Sequence, residues 1–512
     1  MSGAQDPVHS KAGVVVAGHP LAAEAGREAL AAGGSATDAL IASAATLCVV
    51  LPQAVTLGGD AFGLFYQAAD ATVHGLNASG RASRALVPDR LQRSDLEHGA
   101  LSPTVPALVL GWEAAHRRFG KLAWSELFAA AIAAADHGVP VSRILASAIM
   151  QHEALIARDA GLAALLIPSG RSLVEGDLLL QPQLAECFRT IARGGAAAFY
   201  QGPVARSLAT RIAQGGGLLN VDDFAGSATD WVAPISVDYR GHMVATVPPN
   251  SFGLLGLLQL KELDSHDHGR ELPGARLVAQ VAAAERAFVT GAGYLADPDA
   301  TGITGADLRS LLASPIPNAS AARIGSSPGG TAVAMAIDRD GNAALIVQSI
   351  FTLFGSGVFD AETGILLNNR MRGFSLDPSH PNVVAAGKRP AHTLSPMMML
   401  RDGRLRLVLA TPGGLGQTPT LVQIIDGHIG AGLDLETAIA RPRWSYDLDQ
   451  RVIVEAGLSD DVVSAVAACG VSVYRPTRAT PFFGSVKAIQ IAPDGTYRGV
   501  ADRRRDGAVA GA

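Results

Sequence analysis

The sequence has few of the residues that would place it in a disulfide-rich or metal-binding class. Only three of its 512 residues are cysteines. They are Cys48, Cys187 and Cys469, and no two of them form a CxxC pair. Such sparse and scattered cysteines argue against a disulfide framework and against a zinc site, and they fit a reducing compartment.

The sequence also lacks an apolar run of the length that crosses a membrane. The longest apolar stretches are Ala39–Leu51 and Leu127–Ala135, whereas a membrane-spanning helix needs about 20 apolar residues. Residues 1–12 contain no basic segment followed by an apolar one, so we expect no signal peptide. These observations predict a cytoplasmic protein that does not contact a membrane.

Basic residues are not clustered either. The formal net charge is −5, and the longest basic run is Arg503–Arg505, which we interpret as a solvated tail. We therefore expect no nucleic-acid partner. The "HDH" of His266–His268 is interpreted as a solvated loop, and Gly413–Thr418 lacks the full pattern of a dinucleotide site.

The pattern of the chain is that of a layered α/β protein. Short apolar strands are predicted near both ends, and the segment 109–214 is mainly helical. Ser35 is a predicted N-cap between two alanine-rich helices. The turn "DRDG" predicts a β-hairpin over 331–351. The small and turn-forming residues of 315–330 predict a linker.

Thr331 follows two glycines and begins the first strand of this hairpin. Gly-Gly-Thr before a strand is typical of an ordinary turn. The alternative is a hydroxyl nucleophile that becomes the N-terminus of a new chain. Its own α-amine, with a pKa of about 8, would then accept the hydroxyl proton. Gly329 and Gly330 would allow the backbone geometry that brings this hydroxyl onto the Gly330 carbonyl.

Six blocks of sequence together resemble the gamma-glutamyltranspeptidase superfamily of N-terminal-nucleophile hydrolases. They occur in the order typical of that superfamily and cover nearly the whole chain: "AGHPLAAEAGREALAAGGSATDALIASAATLCVVLPQAVTLGGDAFGLFY", "VPALVLGWEAAHRRFGKLAWSELFAAAI", "YRGHMVATVPPNSFG", "FGSGVFDAETGILLNN", "KRPAHTLSPMM" and "TPGGLGQ".

The resemblance implies a four-layer αββα sandwich and a proenzyme that cuts itself before a threonine. Similarity of "TAVAMAIDRDGN" to the nucleophile strand places that threonine at Thr331 and the cut after Gly330. The products would be a large chain 1–330 and a small chain 331–512 that form one αβ unit. Ser349 matches a hydroxyl that supports the nucleophile, and Gly413 and Gly414 match the oxyanion pair. No metal or organic cofactor is implied.

The substrate pocket departs from the members that cut glutathione. "NNRMRGFS" places Arg370 and Gly373 where those members bind the substrate's amino group through glutamine and aspartate. A pair of serines is replaced by His392-Thr393. The arginine that holds the glutamate carboxylate is replaced by Ser79, and the nearest candidate is Arg81. Only Val384–Gly387 remain of the lid loop.

These replacements favour a substrate with a carboxylate and no α-amine, held by Arg370, Arg81, His392 and Thr393. The pattern resembles the lidless branch that contains oxamate amidohydrolase and acylases. We therefore predict a self-cleaving amidohydrolase for a small anionic amide such as oxamate. The absent lid would ease entry of water and so favour hydrolysis over transfer.

Several alternatives stay open. Within the superfamily they are a glutathione hydrolase or γ-glutamyltransferase, an acylase for larger amides, and cleavage of a C–C bond beside an oxalyl-type carbonyl. The alternative from another class is an unprocessed, inactive binding protein, because Ala332 and Val333 replace the usual threonine and histidine. The sequence also leaves open whether two αβ units associate.

Overall fold

Two β-sheets lie face to face at the centre of the protein, and helices cover both outer sides. The computed structural model describes residues 7–265, 273–316, 329–446, 451–477 and 481–512. The expected αββα architecture is confirmed. One side of the sandwich packs the larger group of helices, including the two alanine-rich helices near the N-terminus.

The α-helices of the described residues are, in chain order, α1 (Pro20–Ala31), α2 (Ala36–Val50), α3 (Leu108–Phe119), α4 (Ala129–His137), α5 (Arg143–Gln151), α6 (Glu153–Ile156), α7 (Ala160–Leu166), α8 (Pro182–Tyr200), α9 (Pro203–Gln214), α10 (Val221–Ala225), α11 (Gly253–Asp264), α12 (Pro273–Gly291), α13 (Pro298–Thr301), α14 (Gly305–Ala313), α15 (Gln417–Ile425), α16 (Leu435–Ala440) and α17 (Asp460–Ala467).

The strands of the same residues are, again in chain order, β1 (Val8–Ser10), β2 (Val14–Ala17), β3 (Asp60–Gln67), β4 (Thr72–Ala78), β5 (Val139–Pro140), β6 (Leu178–Leu179), β7 (Asp230–Val232), β8 (Ile235–Tyr239), β9 (His242–Thr246), β10 (Gly329–Ile337), β11 (Ala343–Thr352), β12 (Phe359–Asp360), β13 (Ile365–Leu366), β14 (Met397–Arg401), β15 (Arg404–Ala410), β16 (Trp444–Tyr446), β17 (Val452–Val454), β18 (Val473–Tyr474), β19 (Lys487–Ile491), β20 (Tyr497–Ala501) and β21 (Ala508–Gly511).

The two large sheets have seven strands each. The first sheet has the order β21-β2-β10-β11-β3-β4-β7, and the second has the order β1-β20-β19-β15-β14-β9-β8. Neighbouring strands are antiparallel in both sheets. Each sheet takes strands from the early and the late parts of the chain, so neither part forms a layer alone.

Helix α2 explains how the first sheet is covered. The Ser35 side chain accepts a hydrogen bond from the Asp38 N–H, and the Asp38 carboxylate accepts one from the Ser35 N–H. This capping box confirms the predicted N-cap and satisfies two backbone donors. Every residue of α2 is buried, and its alanines allow it to lie close to the alanine-rich face of β10.

The alternation along β10 determines which way its side chains point. Ala332 and Ala334 pack in the core beneath the helices, whereas Val333 and Met335 pack in the core between the sheets. Side chains alternate between the two faces of a strand, so Thr331 belongs to the set that faces the second sheet. The apolar residues of this hairpin thereby fix the direction of the candidate nucleophile.

The predicted hairpin is confirmed, with one difference in its start. Strand β10 begins at Gly329, so it runs through the Gly330–Thr331 bond and the glycines are not a turn. Of the predicted linker, residues 317–328 lie outside the described residues, as do His266–His268. No helix of the described part has the length and apolar composition that a membrane crossing requires.

Candidate active site

Thr331 lies near the start of β10, opposite a bulge in β11. Gly330 pairs with Phe351 and Ala332 pairs with Gln348, so one residue of β10 faces two of β11. Bulges often reorient a side chain beside an active site. Thr331 is 3% exposed, and its Oγ1 has no hydrogen-bond partner among the described residues. An unpartnered buried hydroxyl is uncommon, and this one is available as a nucleophile.

Ser349 contacts the peptide bond that precedes Thr331. Its hydroxyl donates a short hydrogen bond to the carbonyl oxygen of Gly330. The same Oγ accepts a hydrogen bond of 2.7 Å from the Phe351 N–H. Phe351 has a φ of +82°, a strained value for a bulky residue that is typical of functional sites. Ser349 is thus placed to polarise the Gly330 carbonyl.

The loop after β15 brings Gly413 and Gly414 to the same end of the first sheet. Their φ values are +135° and +58°, which favour glycine at both positions. A Cβ added to Gly329 would lie 3.0 Å from both the N and the Cα of Gly414. The loop therefore contacts the segment before Thr331, where its backbone N–H groups could serve an oxyanion.

A buried ion pair between Arg443 and Asp502 stabilises the segment against which this loop packs. The Ser485 N–H donates a 2.9 Å hydrogen bond to Thr411 Oγ1, just before the two glycines. The Arg443 side chain donates to the carbonyl of Phe483 at 2.7 Å and pairs with Asp502 at 2.7 Å. Arg443 and Asp502 are both buried, so this pair fixes the segment against which the loop packs.

The interpretation of Arg503–Arg505 as a solvated tail was wrong. Arg504 is 10% exposed at its side chain and pairs with Glu455 at 2.6 Å and with Asp502 at 3.2 Å. The triplet lies in a turn between β20 and β21. Its central arginine extends the buried ion network, because a buried guanidinium needs a partner of opposite charge.

We expect Asp502→Asn to destabilise the fold by about 3–5 kcal/mol, because the change leaves Arg443 buried without its counter-charge. Urea unfolding measures this effect. The matched control is Asp402→Asn, since Asp402 is 89% exposed at its side chain and exposed pairs contribute about 0–1 kcal/mol. Equal unfolding midpoints for the two variants would contradict the supporting role.

Arg370, His392 and Asp60 form a second cluster, which is fully buried. The Arg370 Cζ lies 4.8 Å from the centre of the Phe351 ring, and Phe351 is the residue of β11 that pairs with Gly330. Asp60 Oδ2 lies 3.5 Å from Arg370 Nε and 3.7 Å from His392 Nε2. Each of the three residues is 0% exposed.

Most polar atoms of this cluster make no hydrogen bond, although Asp60 lies within ion-pair distance of Arg370 and His392. Asp60 Oδ2, the three guanidinium nitrogens of Arg370 and both ring nitrogens of His392 make no hydrogen bond within the described residues. Buried polar groups are normally hydrogen-bonded to protein, water or ligand. The cluster therefore has the properties of a polar ligand site and not of a packed core.

Burial dominates the protonation of the cluster. It raises the pKa of Asp60 to about 6, although Arg370 and backbone N–H groups act in the opposite direction. Burial lowers the pKa of Arg370 to about 10. Burial and then Arg370 and Arg389 lower the pKa of His392 well below its ordinary value. At neutral pH His392 is therefore uncharged, and Arg370 is the cation of the cluster.

Arg81 is not part of this cluster. Its guanidinium pairs with Asp297 at 3.0 Å and also with Asp299, and it donates to the Gly387 carbonyl at 3.1 Å. The side chain is 36% exposed. The structure thus surrounds Arg81 with acceptors of its own and does not bring it to Arg370 as a free carboxylate contact.

The other two predicted positions are buried near His392. Thr393 is buried, and its carbonyl accepts a 3.0 Å hydrogen bond from Ser395 Oγ. Ser79 donates to Asn77 Oδ1 at 2.6 Å and accepts from Asn250 Nδ2 at 3.2 Å. Ser79 therefore has a structural role in this network, in addition to replacing an arginine.

Asp60 was not identified from the sequence. The predicted substrate pocket therefore contained no acidic residue. The available signal was the acid in "LGGDAFGLFY", at the head of an otherwise apolar strand. Two backbone N–H groups, from Gly80 at 3.0 Å and Ala107 at 3.2 Å, donate to Asp60 Oδ1. The carboxylate is thereby held with its second oxygen directed at Arg370 and His392.

A family model described as Gamma-glutamyltranspeptidase matches residues 22–512. The chain belongs to the gamma-glutamyltranspeptidase family. This match confirms the resemblance drawn from the six sequence blocks and accounts for the four-layer fold around Thr331.

Relatives of this gamma-glutamyltranspeptidase family member match it along almost its whole length. It is 33% identical to the glutathione hydrolase-like YwrD proenzyme of Bacillus subtilis, over 97% of this chain and 98% of that protein. It is 30% identical to the oxamate amidohydrolase proenzyme of Klebsiella pneumoniae, over 98% of both chains. These names bear out the prediction of a hydrolase and are consistent with processing into two chains.

The fold also matches a solved member of the family. The cephalosporin acylase from Bacillus halodurans superposes with a TM-score of 0.89 at 29% identity, covering 99% of this chain and 97% of that one. The family fold is thus present along the whole length of the match, and the chain is a hydrolase of this family.

A cavity of about 350 Å³ lies next to the segments that carry Arg370 and His392. Its walls include Gly373 and Ala391, which are close to those residues in sequence. Apolar side chains and two arginines supply most of the rest: Phe252, Leu295, Phe374, Leu376, Arg93 and Arg372. Across the described ranges, no group of three His, Cys, Asp or Glu side chains is arranged to hold a metal ion.

Proposed function

We propose that the protein is a self-processing amidohydrolase for small anionic amides, with oxamate as the representative substrate. One observation carries the substrate class. Arg370 is 0% exposed, and its Nη1 and Nη2 have no hydrogen-bond partner in the described structure. A guanidinium fork of this kind binds a carboxylate through two parallel hydrogen bonds. The relative named oxamate amidohydrolase supports the same class.

Processing would begin with attack of Thr331 Oγ1 on the carbonyl carbon of Gly330. The hydroxyl of Ser349 and the N–H groups near Gly414 would stabilise the oxyanion. Collapse of this intermediate breaks the C–N bond and leaves Gly330 as an ester on Thr331. Water then hydrolyses the ester, which gives a carboxylate on Gly330 and a free α-amine on Thr331.

Hydrolysis of the amide substrate would repeat this chemistry. The Thr331 amine accepts the hydroxyl proton while Oγ1 forms a bond to the amide carbon. The backbone N–H groups of Gly413 and Gly414 stabilise the oxyanion, and the proton then passes to the departing amine. Water cleaves the acyl-enzyme and releases the acid. Oxamate and water would thus give oxalate and ammonia.

The proposal is tested by ammonia release from oxamate beside release of the chromophore from a γ-glutamyl anilide. We expect turnover of oxamate and little turnover of the anilide, because Arg370 repels an α-ammonium group. Rapid turnover of the anilide with none of oxamate would overturn the substrate class, while leaving the nucleophile in place.

We expect Ser349→Ala to slow self-cleavage about 100-fold, since loss of one oxyanion donor typically costs 10²–10³ in rate. The half-time is read by denaturing electrophoresis of freshly synthesised protein. Ser349→Thr retains the hydroxyl and is the matched control. If the alanine variant is processed at the wild-type rate, Ser349 does not assist cleavage.

We expect inhibition by propionate, a simple carboxylate, to weaken several-fold as the pH rises through about 6. Burial raises the pKa of Asp60 to about 6, so below this pH the acid is neutral and the charge of Arg370 is uncompensated. Above it the Asp60 carboxylate opposes the anion. The inhibition constant measured from pH 5.5 to 8 tests this, and Asp60→Asn should remove the dependence.

An acylase for larger anionic amides is the second candidate. The 350 Å³ cavity beside the segment that carries Arg370 favours it, because its apolar walls would hold the longer acyl chain of such an amide. Turnover of a glutaryl amide exceeding that of oxamate would select this candidate.

A further inference from the structure

The two oxygens of the Asp60 carboxylate have different environments. Oδ1 accepts hydrogen bonds from the Gly80 and Ala107 N–H groups at 3.0 and 3.2 Å. Oδ2 accepts none from the described residues, although the whole residue is 0% exposed. A buried carboxylate oxygen without a donor has a high desolvation cost. The backbone therefore holds one oxygen and leaves the other as an unused acceptor.

This unused acceptor lies beside two nitrogen atoms that also make no hydrogen bond within the described residues. Arg370 Nε and His392 Nε2 are 3.5 and 3.7 Å from Asp60 Oδ2, and neither makes a hydrogen bond to it. The far edge of the guanidinium, Nη1 and Nη2, is also unpartnered within the described ranges. A ligand at this position would therefore lie beside two groups on neighbouring side chains. One is the Nη edge of Arg370, which binds anions, and the other is Asp60 Oδ2, which accepts hydrogen bonds.

We propose that Asp60 determines specificity by selecting ligands that carry an uncharged hydrogen-bond donor on the carbon bonded to their carboxylate. This inference rests on the proposed function and narrows its substrate class. The carboxylate would occupy the Nη edge of Arg370, and the neighbouring N–H or O–H would donate to Asp60 Oδ2. Oxamate has this arrangement, because its NH₂ group is on the carbon next to the carboxylate.

A ligand without the donor would bind less well for a clear physical reason. Both kinds of ligand bring a second negative charge towards Asp60, but a ligand without the donor also leaves Oδ2 without a hydrogen bond. Loss of one hydrogen bond to a charged acceptor changes affinity about tenfold or more. Asp60 would thus reject plain carboxylates, although Arg370 alone would accept them.

The test compares propionate, lactate and alanine, which have the same carbon skeleton and carry H, OH or NH₃⁺ on the carbon next to the carboxylate. Binding to the mature wild-type protein is measured by titration calorimetry at pH 7.5, where Asp60 is ionised. We expect lactate, as either enantiomer, to bind at least about tenfold tighter than propionate. Equal affinities in the wild type would overturn the inference without any variant.

Asp60→Asn is the matching variant, because asparagine has nearly the same shape. Its Oδ1 can still accept from Gly80 and Ala107, so its NH₂ group would replace the acceptor with a donor. We expect this variant to bind lactate and propionate about equally, and to bind propionate more tightly than the wild type does. An unchanged preference would overturn the role of Asp60. Asp299→Asn, at a 63% exposed side chain beside Arg81, should leave the preference intact.

The alanine measurement separates this inference from the proposed function. If alanine binds tighter than lactate and the advantage disappears in Asp60→Asn, Asp60 selects a donor and the amine-free substrate class is wrong. If propionate and lactate bind equally while oxamate is hydrolysed, the proposed function stands and the role of Asp60 is wrong. If the wild type binds none of the three ligands, the role of Asp60 is wrong, and the proposed function is wrong as well if oxamate is not hydrolysed.

Discussion

Replacement of Thr331 with alanine is expected to give a single chain of 512 residues with no amidase activity. The wild type should give two chains, residues 1–330 and 331–512. The reason is that the hydroxyl of Thr331 attacks in both reactions, and its α-amine exists only after the first. Denaturing electrophoresis and intact-mass measurement show the chains, and ammonia release shows the activity.

Thr331→Ser is the matched control for this prediction. Serine keeps the hydroxyl but loses the methyl group that restricts rotation about the Cα–Cβ bond. We expect it to be cleaved at the same bond, more slowly than the wild type. Cleavage of the alanine variant after Gly330 would show that another group attacks this bond. If the wild-type chain is not cleaved, Thr331 has no free α-amine, and the proposed mechanism is wrong.

Replacement of Arg370 with methionine is expected to raise the KM for an anionic amide about 100-fold or more. Methionine fills part of the same volume and removes the buried positive charge. Loss of one partner from a buried, hydrogen-bonded charge pair typically costs 2–5 kcal/mol, and about 3 kcal/mol corresponds to a factor above 100. Steady-state kinetics on oxamate measures the change.

Two comparisons distinguish carboxylate binding from a general loss of structure. Oxamide has an uncharged amide in place of the carboxylate, so its kcat/KM should change less than about threefold in Arg370→Met. Arg370→Lys keeps the positive charge but not the guanidinium fork, so its KM for oxamate should lie between those of Arg370→Met and the wild type. Self-cleavage should proceed normally in both variants. An equal loss of activity on oxamate and oxamide would show that Arg370 only maintains the fold.

The β10–β11 hairpin and the start of α2 were predictable because their signals are local. The "DRDG" turn predicts the β10–β11 hairpin, and Ser35 predicts the start of α2. The start of β10 was harder to predict, because Gly329 and Gly330 are residues that favour a turn. Pairing with Phe351 and contact with Gly414 override that preference, and no local pattern reveals such partners.

The polar cluster was only half predictable for the same reason. Arg370 and His392 follow from the resemblance, but Asp60 is more than 300 positions away in the sequence. The sheet brings it to them, and no spacing rule connects the three. Likewise, Arg504 pairs with Glu455, which the adjacent arginines give no reason to expect.

The strand order has a consequence for the life of the cleaved protein. In the first sheet β2 lies between β21 and β10, while β3, β4 and β7 follow β11. A cut after Gly330 would therefore leave strands of the two fragments interleaved and hydrogen-bonded on both sides. The fragments could separate only by unfolding together, and refolding would become a bimolecular reaction that depends on concentration. We expect the mature protein to be a kinetically trapped product, whose persistence is set by its unfolding rate and which separately made halves would not readily rebuild.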